Sequence, residues 1–182
     1  MIKTERTSVM NFENAIRGAR NPMNSWERMD SFTDGDGNFV FGENDLSLAV
    51  RLAKAGSDHR KFLRQIIVSV DITAPLYWWK EFDTYKVGTT ANSCSTMHKI
   101  HSKPFSREDF SCDRLTDEGL KMLDSIIDFL EEERRQFIAD KDDRSHWHNM
   151  IQILPSSYNQ MRTVTLNYEN LVNIYYARRT HK

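Results

Sequence analysis

APLYWWKEFDTYKVGTTANSCSTMHKIH, residues 74–101, changes character at its middle. Pro75 suits the first turn of a helix, where a missing backbone N–H costs nothing. Leu76 and Trp79 then share one face with Lys80 or Asp83, and Trp78 and Phe82 share the next. Gly88 ends the helix, and from Gly88 to Ser95 the residues are small and polar, which reads as a loop. A short apolar helix handing over to a polar loop suits ligand binding, and it equally suits a plain helix-to-loop transition. The segments on either side distinguish the two.

Upstream, residues 1–10 read as a first strand, and Asn11 is placed to cap a short helix over Phe12–Arg20. Asp34-Gly35-Asp36-Gly37 is a turn signal, with Phe39–Phe41 in a hairpin. It lacks the spaced oxygen ligands of a calcium loop. Asn44 opens a helix in which Leu46, Ala49, Val50, Leu52 and Ala53 recur near a 3.6-residue period, and Gly56 stops it. After a short turn over HRKFLR, Ile66, Val68, Val70 and Ile72 alternate with Ile67, Ser69, Asp71 and Thr73, the clearest strand pattern in the chain. Downstream, residues 102–114 read as loop. Thr116 caps a helix to about Ala139, with Leu115 and Leu120 as a hydrophobic staple. Its EEERR run reads as a solvated face. Ser145 is placed to cap a helix over Trp147–Ile153 that Pro155 ends, Arg162–Leu166 alternates as a strand, and Asn167 caps a last helix. That helix reaches Lys182 with no Gly or Pro to stop it. These elements predict an α+β fold, with a modest antiparallel sheet flanked by helices, in one domain spanning residues 1–182.

The formal net charge is −1, from 25 Lys and Arg against 26 Asp and Glu. No global basic field exists, so bulk nucleic-acid binding is not expected. Cys94 and Cys112 are too few for a disulfide framework and are not in C-x-x-C spacing. Cys94 reads as a small half-buried loop residue. The opening MIKTERTSVM is charged and has no apolar stretch like a signal peptide, and no apolar run is long enough to span a bilayer. A cytoplasmic protein without membrane contact is expected. His98, His101, His146 and His148 lack the spacing and partners of a zinc site, so no metal is expected.

Three segments together resemble the flavin-dependent thymidylate synthases. GSDHRKFLRQIIVSVDITAPLYWW, from Gly56, is similar to that family's G-H-x-x-P-F-E-H-like turn, alternating strand and A-P-I-F-like helix start, with His59 on the family histidine. The family signature R-H-R-x-x-S-x-N-E-x-S-x-R, preceded by R-Q-W, falls on the opening stretch. Lys80, Glu81 and Phe82 take the R-Q-W place, Thr90 the first Ser, Asn92 the Asn and Ser95 the last Ser. In the third segment, Ile-Leu-Pro at 153–155 is followed by Asn167, Asn173 and Arg178 at family spacing. The chain departs from the signature at Tyr85-Lys86-Val87 in place of R-H-R, or Thr84-Tyr85-Lys86 if the loop holds one inserted residue, at Ser93 in place of Glu, and at Met97 in place of the last Arg.

The resemblance implies conversion of dUMP to dTMP, with methylenetetrahydrofolate as carbon donor, FAD as cofactor and NADPH as reductant, in a homo-oligomer, a tetramer in the family. It assigns His59, Lys86, Asn167 and Asn173 to the cofactor and Lys80, Glu81, Asn92, Ser95 and Arg178 to the nucleotide. Ser95 and Arg178 lie at the reacting ring. An amide both donates to and accepts from a ring edge, which suits the asparagines. Asn167 is equally an N-cap and Asn173 a half-exposed helix residue on the bare sequence. Lysine in place of arginine offers a point charge without the planar fork. The departures leave two alternatives: a non-catalytic nucleotide- or protein-binding relative of the same fold, or a flavoenzyme for a different pyrimidine nucleotide.

Overall fold

The structure, a computed structural model, describes residues 2–180. Strand β1 covers Lys3–Met10 and helix α1 Phe12–Arg20. The hairpin strands β2, Phe32–Thr33, and β3, Phe39–Val40, pair antiparallel with Phe32 opposite Val40. Helix α2 runs Glu43–Lys54, and a 3₁₀ segment, Arg60–Gln65, leads into β4, Ile67–Pro75. Helix α3, Leu76–Phe82, is followed by β5, Thr90–Ser93, and the short helix α4, Thr96–Lys99. The long helix α5, Asp117–Ala139, precedes α6, Arg144–Ile153, β6, Asn159–Asn167, and α7, Tyr168–Arg178. Among the described residues the main sheet has four strands in the order β1-β4-β6-β5. The expected α+β class with a small sheet holds.

The chain divides into two compact units of interleaved segments. The first holds residues 2–5, 71–84 and 91–163, and the second holds 6–70, 85–90 and 164–180. In the first unit the core is Ile100, Phe105, Phe110, Leu123, Leu130, Phe137 and Met150. Leu123, Leu130 and Phe137 repeat at seven-residue intervals, so one stripe of α5 is apolar and is buried. Trp79 is fully buried and its indole N–H donates to the Gln160 carbonyl at 2.9 Å. Trp78 stacks on Phe82 with centroids 5.0 Å apart, as the helical spacing predicts.

In the second unit Ala15, Ile16, Phe62, Leu63 and Ile66 form the core. Arg20 and Asp45 are an ion pair buried beside it, 4% and 0% exposed. Asp45 also accepts the backbone N–H groups of Asp30 and Ser31. Burial pushes the Asp45 carboxyl up, and the hydrogen bonds from Ser31, Arg20 and Asp30 outweigh it and hold the group below its ordinary value.

Several local expectations are corrected. The helix from Pro75 stops at Phe82, well before Gly88, and residues 90–93 are a strand instead of loop. Asn11 occupies the N-cap position of α1 with φ 73°, but its side chain donates to the Gln65 carbonyl instead of capping. The α6 cap is Asp143, whose carboxylate accepts from Ser145 N. Cys94 is exposed instead of half-buried. The EEERR run is not simply solvated. Glu131 and Arg134 are each 14% exposed and paired at 2.6 Å, and Glu131 also accepts from Phe105 N. Glu133 accepts from Asn149 and meets His146 Nδ1 at 2.9 Å, tying α5 to α6. Helix α7 closes at Arg178. The remainder of the expected run, at His181 and Lys182, lies outside the described residues.

Candidate functional site

In the second unit, the first turn of α7 organises a cluster around the 85–90 segment. Asn167 caps the helix: its Oδ1 accepts from Asn170 N at 3.0 Å, while Asn170 Oδ1 accepts from Asn167 N at 3.2 Å. This reciprocal capping box satisfies two backbone donors at a terminus that would otherwise leave them orphaned. The Asn170 amide N–H then reaches across to the Val87 carbonyl at 2.5 Å. Gly88 makes that approach possible. It sits at φ +72°, and a Cβ there would come within 2.8 Å of Asn167 Nδ2.

Further along α7, Arg178 Nε donates to the Tyr85 hydroxyl at 2.8 Å, with its guanidinium 5.7 Å from the centre of the Tyr85 ring. Glu169 and Asn173, one turn apart, face the 3₁₀ segment. Arg60 Nε meets Glu169 Oε1 at 3.2 Å, Arg64 Nε meets Glu169 Oε2 at 3.1 Å, and Arg60 Nη2 donates to Asn173 Oδ1 at 3.1 Å. Lys86 is exposed beside Tyr85. Four of the expected residues, Lys86, Asn167, Asn173 and Arg178, are thus gathered on α7 and the segment it holds. His59 is exposed at the start of the 3₁₀ segment. It lines a cleft of about 560 Å³ with Met23, Leu52 and Phe62, to which α7 and residues 85–90 contribute no wall.

The first unit carries the other expected residues. Lys80 and Glu81 are exposed on α3, and Asn92 is exposed on β5. Ser95 Oγ accepts from His98 N at 3.0 Å and so caps α4. Ser95 lines a cleft of about 290 Å³ with Lys99, Lys103 and Tyr158. Its floor is held by Gln160, which is 7% exposed and donates from Nε2 to the Cys94 carbonyl at 2.8 Å. Gln160 Oε1 takes a bond from Arg162 Nε, and Arg162 lies 4.3 Å over the Trp79 ring. Trp147 Nε1 donates to the Met97 carbonyl at 2.9 Å, which fixes the far side of the same turn. The buried aromatic Trp79 therefore positions the Ser95 segment through Gln160.

Sequence reasoning passed over Arg60 as a partner of Asn173, and over Asn170, Glu169 and Gln160 altogether. The Asn167-x-x-Asn170 spacing is a capping-box signature and would have found Asn170. Arg60 and Gln160 act across long sequence separations, and no local pattern marks them.

No family model matches the chain, and no curated protein matches it in sequence. Solved structures do match over its whole length. Thymidylate synthase X from Helicobacter pylori, solved with FAD and dUMP, superposes with a TM-score of 0.70 at 15% identity, over 100% of this chain and 86% of that one. A UMP/dUMP methylase, PolB from Streptomyces cacaoi, bound with 5-Br dUMP, superposes with a TM-score of 0.66 at 12% identity, over 100% of this chain and 79% of that one. The chain has the fold of the flavin-dependent thymidylate synthases. Among the described residues no helix is long and apolar enough to cross a membrane.

Proposed function

We propose that this chain is a flavin-dependent enzyme that methylates C5 of a pyrimidine nucleotide, with dUMP as substrate and dTMP as product. The observation that carries the reading is the convergence of Lys86, Asn167, Asn173 and Arg178 on α7 and the 85–88 turn, within a fold shared with enzymes solved with FAD, dUMP and 5-Br dUMP. The residues present fit a flavin dinucleotide in kind. The second unit offers side-chain amides at Asn167 and Asn173 and an aromatic ring at Tyr85. It also offers the cations Arg60, Arg64, Lys86 and Arg178, with Glu169 as the carboxylate paired to the first two. Pyrophosphate binding needs such an excess of positive charge. The Gly88 turn brings backbone within reach of the asparagines, where a side chain would stand.

His59, Lys86, Asn167 and Asn173 are the residues assigned to hold FAD, and Lys80, Glu81, Asn92, Ser95 and Arg178 those assigned to the nucleotide. Bound FAD, recharged by NADPH, would supply the hydride that turns the methylene carried by methylenetetrahydrofolate into a methyl group. The chain's own part is orientation and charge. The Tyr85 hydroxyl fixes the Arg178 guanidinium, so a permanently charged donor is presented in one geometry to an electron-rich uracil carbonyl. The Ser95 oxygen accepts from His98 N, which leaves its hydroxyl proton to donate to the nucleotide. Because the flavin would carry the reducing chemistry, no cysteine nucleophile is required. The same reading implies a cytoplasmic homotetramer.

The likeness to a UMP/dUMP methylase favours a second reading, in which the pyrimidine nucleotide is UMP. Release of tritium from C5-labelled dUMP and UMP, with FAD, NADPH and methylenetetrahydrofolate present, tests both. Release from dUMP supports the first reading, release from UMP alone supports the second, and release from neither overturns the catalytic reading in favour of a binding protein of this fold.

A further inference from the structure

Arg162 on β6 touches three parts of the first unit at once. Its Nη1 donates to both carboxylate oxygens of Asp83, at 2.9 and 3.2 Å, just past the end of α3. Its guanidinium lies 4.3 Å from the centre of the Trp79 ring, which is fully buried on the same helix. Its Nε donates to Gln160 Oε1 at 2.9 Å. The Arg162 side chain is 17% exposed, so these contacts form with most of the surrounding water removed, where a cation over an aromatic face and a charge-assisted hydrogen bond are strongest.

The consequence falls on Gln160. A side-chain amide has an accepting end and a donating end, and its orientation is set by what faces it. A guanidinium only donates and stays charged. Arg162 therefore holds Oε1 toward itself and turns Nε2 to the Cys94 carbonyl, 2.8 Å away. The Cys94 N–H is donated to the Met161 carbonyl at 2.9 Å, so both backbone groups of the residue before Ser95 are fixed to β6. A turned-over amide would set Oε1 against the Cys94 carbonyl oxygen, two acceptors with no proton between them. The chain of bonds Asp83–Arg162–Gln160–Cys94 thus runs from the end of α3, the helix of Lys80 and Glu81, to the Ser95 turn.

We propose that Arg162 is a positioning residue: acting through Gln160, it sets the Ser95 turn in register with α3 and so places Ser95 against the reacting ring. That Ser95, Lys80 and Glu81 meet a pyrimidine nucleotide rests on the function proposed above; the coupling of Arg162 to the turn does not.

Two readouts on the full chain test it. One is tritium release from C5-labelled dUMP with FAD, NADPH and methylenetetrahydrofolate present, and the other is backbone amide exchange over residues 94–98. The variants are Arg162→Met, which keeps apolar packing on Trp79 and loses the donors, Arg162→Lys, Gln160→Met and the double variant of Arg162→Met with Gln160→Met. Circular dichroism checks that each is folded. Arg162→Met is expected to lower kcat at least about tenfold, within the roughly hundredfold that an ångström of misplacement costs. The KM for dUMP should change less, FAD uptake should stay at the parent's level, and exchange over residues 94–98 should quicken. Gln160→Met should do the same. The double variant should be no worse than Gln160→Met alone, because the two residues act in series, and Arg162→Lys should recover part of the loss. Losses that multiply in the double variant, or a folded Arg162→Met with the parent's kcat and exchange, overturn the positioning role and leave the nucleotide reading standing. If Arg162→Met does not fold, Asp83→Ala removes the half-exposed anchor instead, and no effect on either readout then overturns the proposal. If the parent releases no tritium, the nucleotide reading falls and exchange decides the rest. Faster exchange in Arg162→Met, with no further gain in the double variant, supports the coupling, and unchanged exchange overturns it.

Discussion

On α7 the side chains expected to meet a ligand are already bonded within their own unit: Asn167 to Asn170 N, Asn173 to Arg60 and Arg178 to Tyr85. Around Ser95 and Lys99 in the first unit the arrangement is the reverse. There the backbone is tied down by Gln160 and Trp147, while Thr96 and Lys99 line a cleft. The first arrangement is rigid and selects by shape, because moving one side chain breaks a chain of bonds. Mutations in the two regions should therefore fail differently: in α7 through stability and binding together, around Ser95 with a smaller loss of stability.

The strongest way to stress the second unit lies beneath its helices. Asp45→Ala strands the Arg20 guanidinium in a buried place, and breaking such a pair costs about 3–5 kcal/mol. The urea midpoint should fall accordingly, and a loss below 1 kcal/mol would mean that Arg20 finds water or another partner. Gly88→Ala is next. It combines a left-handed φ with a 2.8 Å approach to Asn167, so a loss of about 1–3 kcal/mol is expected, with FAD uptake reduced in the folded fraction. Gly35→Ala has open space and no such φ, and it should leave the midpoint nearly unchanged.

The caps sharpen the contrast directly. Asn167→Ala removes the capping box of an eleven-residue helix and should cost about 1 kcal/mol. Ser95→Ala uncaps only a four-residue helix and should cost about 0.5 kcal/mol, at the low end of cap substitutions, while still weakening nucleotide binding. Equal stability losses in the two would break the distinction drawn between the regions.

The smallest effects concern pH. Glu131 is held below its ordinary value by the Arg134 hydrogen bond, against desolvation, with Phe105 N adding to it. A depressed carboxyl stabilises the fold above its unfolded value, here 4.5, and that contribution is lost as pH falls through the lower folded value. The Glu131→Gln variant should therefore show a shallower stability loss below about pH 4.5. His101 is also depressed, by burial first and then by Lys141, Lys99, Arg134 and Arg144, and its ring packs edge-on to Phe137 at 5.0 Å. Its neutral form is the native one, so it favours folding above its unfolded value of 6.5, and that advantage declines as pH drops below it. Replacing His101 with Phe should flatten the melting temperature between pH 7 and pH 5.

Much of this was legible in the sequence, and the exceptions share a cause. The alternation in β4, the seven-residue stripe of α5, the Thr116 cap and the Asn167 cap are local patterns, and each stands where the residues put it. Residues 90–93 read as a loop because Thr-Ala-Asn-Ser is polar and lacks strand alternation. They become a strand only by lying beside β6, which is a tertiary effect. The EEERR run failed for a related reason: Glu131 and Glu133 are claimed by Phe105, His146 and Asn149, residues that no period on α5 could reveal. At the candidate site, Asn167, Asn173 and Arg178 were expected from the family resemblance, while on the bare sequence Asn167 is equally an N-cap and Asn173 a half-exposed helix residue. The partners that orient them, Arg60 and Tyr85, lie 113 and 93 residues away and needed the fold.

The central claim is that the α7 cluster holds a flavin, and equilibrium titration of the purified full chain with FAD, followed by visible absorbance, tests it most directly. Saturable uptake with a shifted flavin band, weakened at least about tenfold by Arg60→Ala or Asn173→Ala in folded protein, is the predicted result. A colourless chain that takes up no FAD at any concentration, or uptake indifferent to both substitutions, would contradict it.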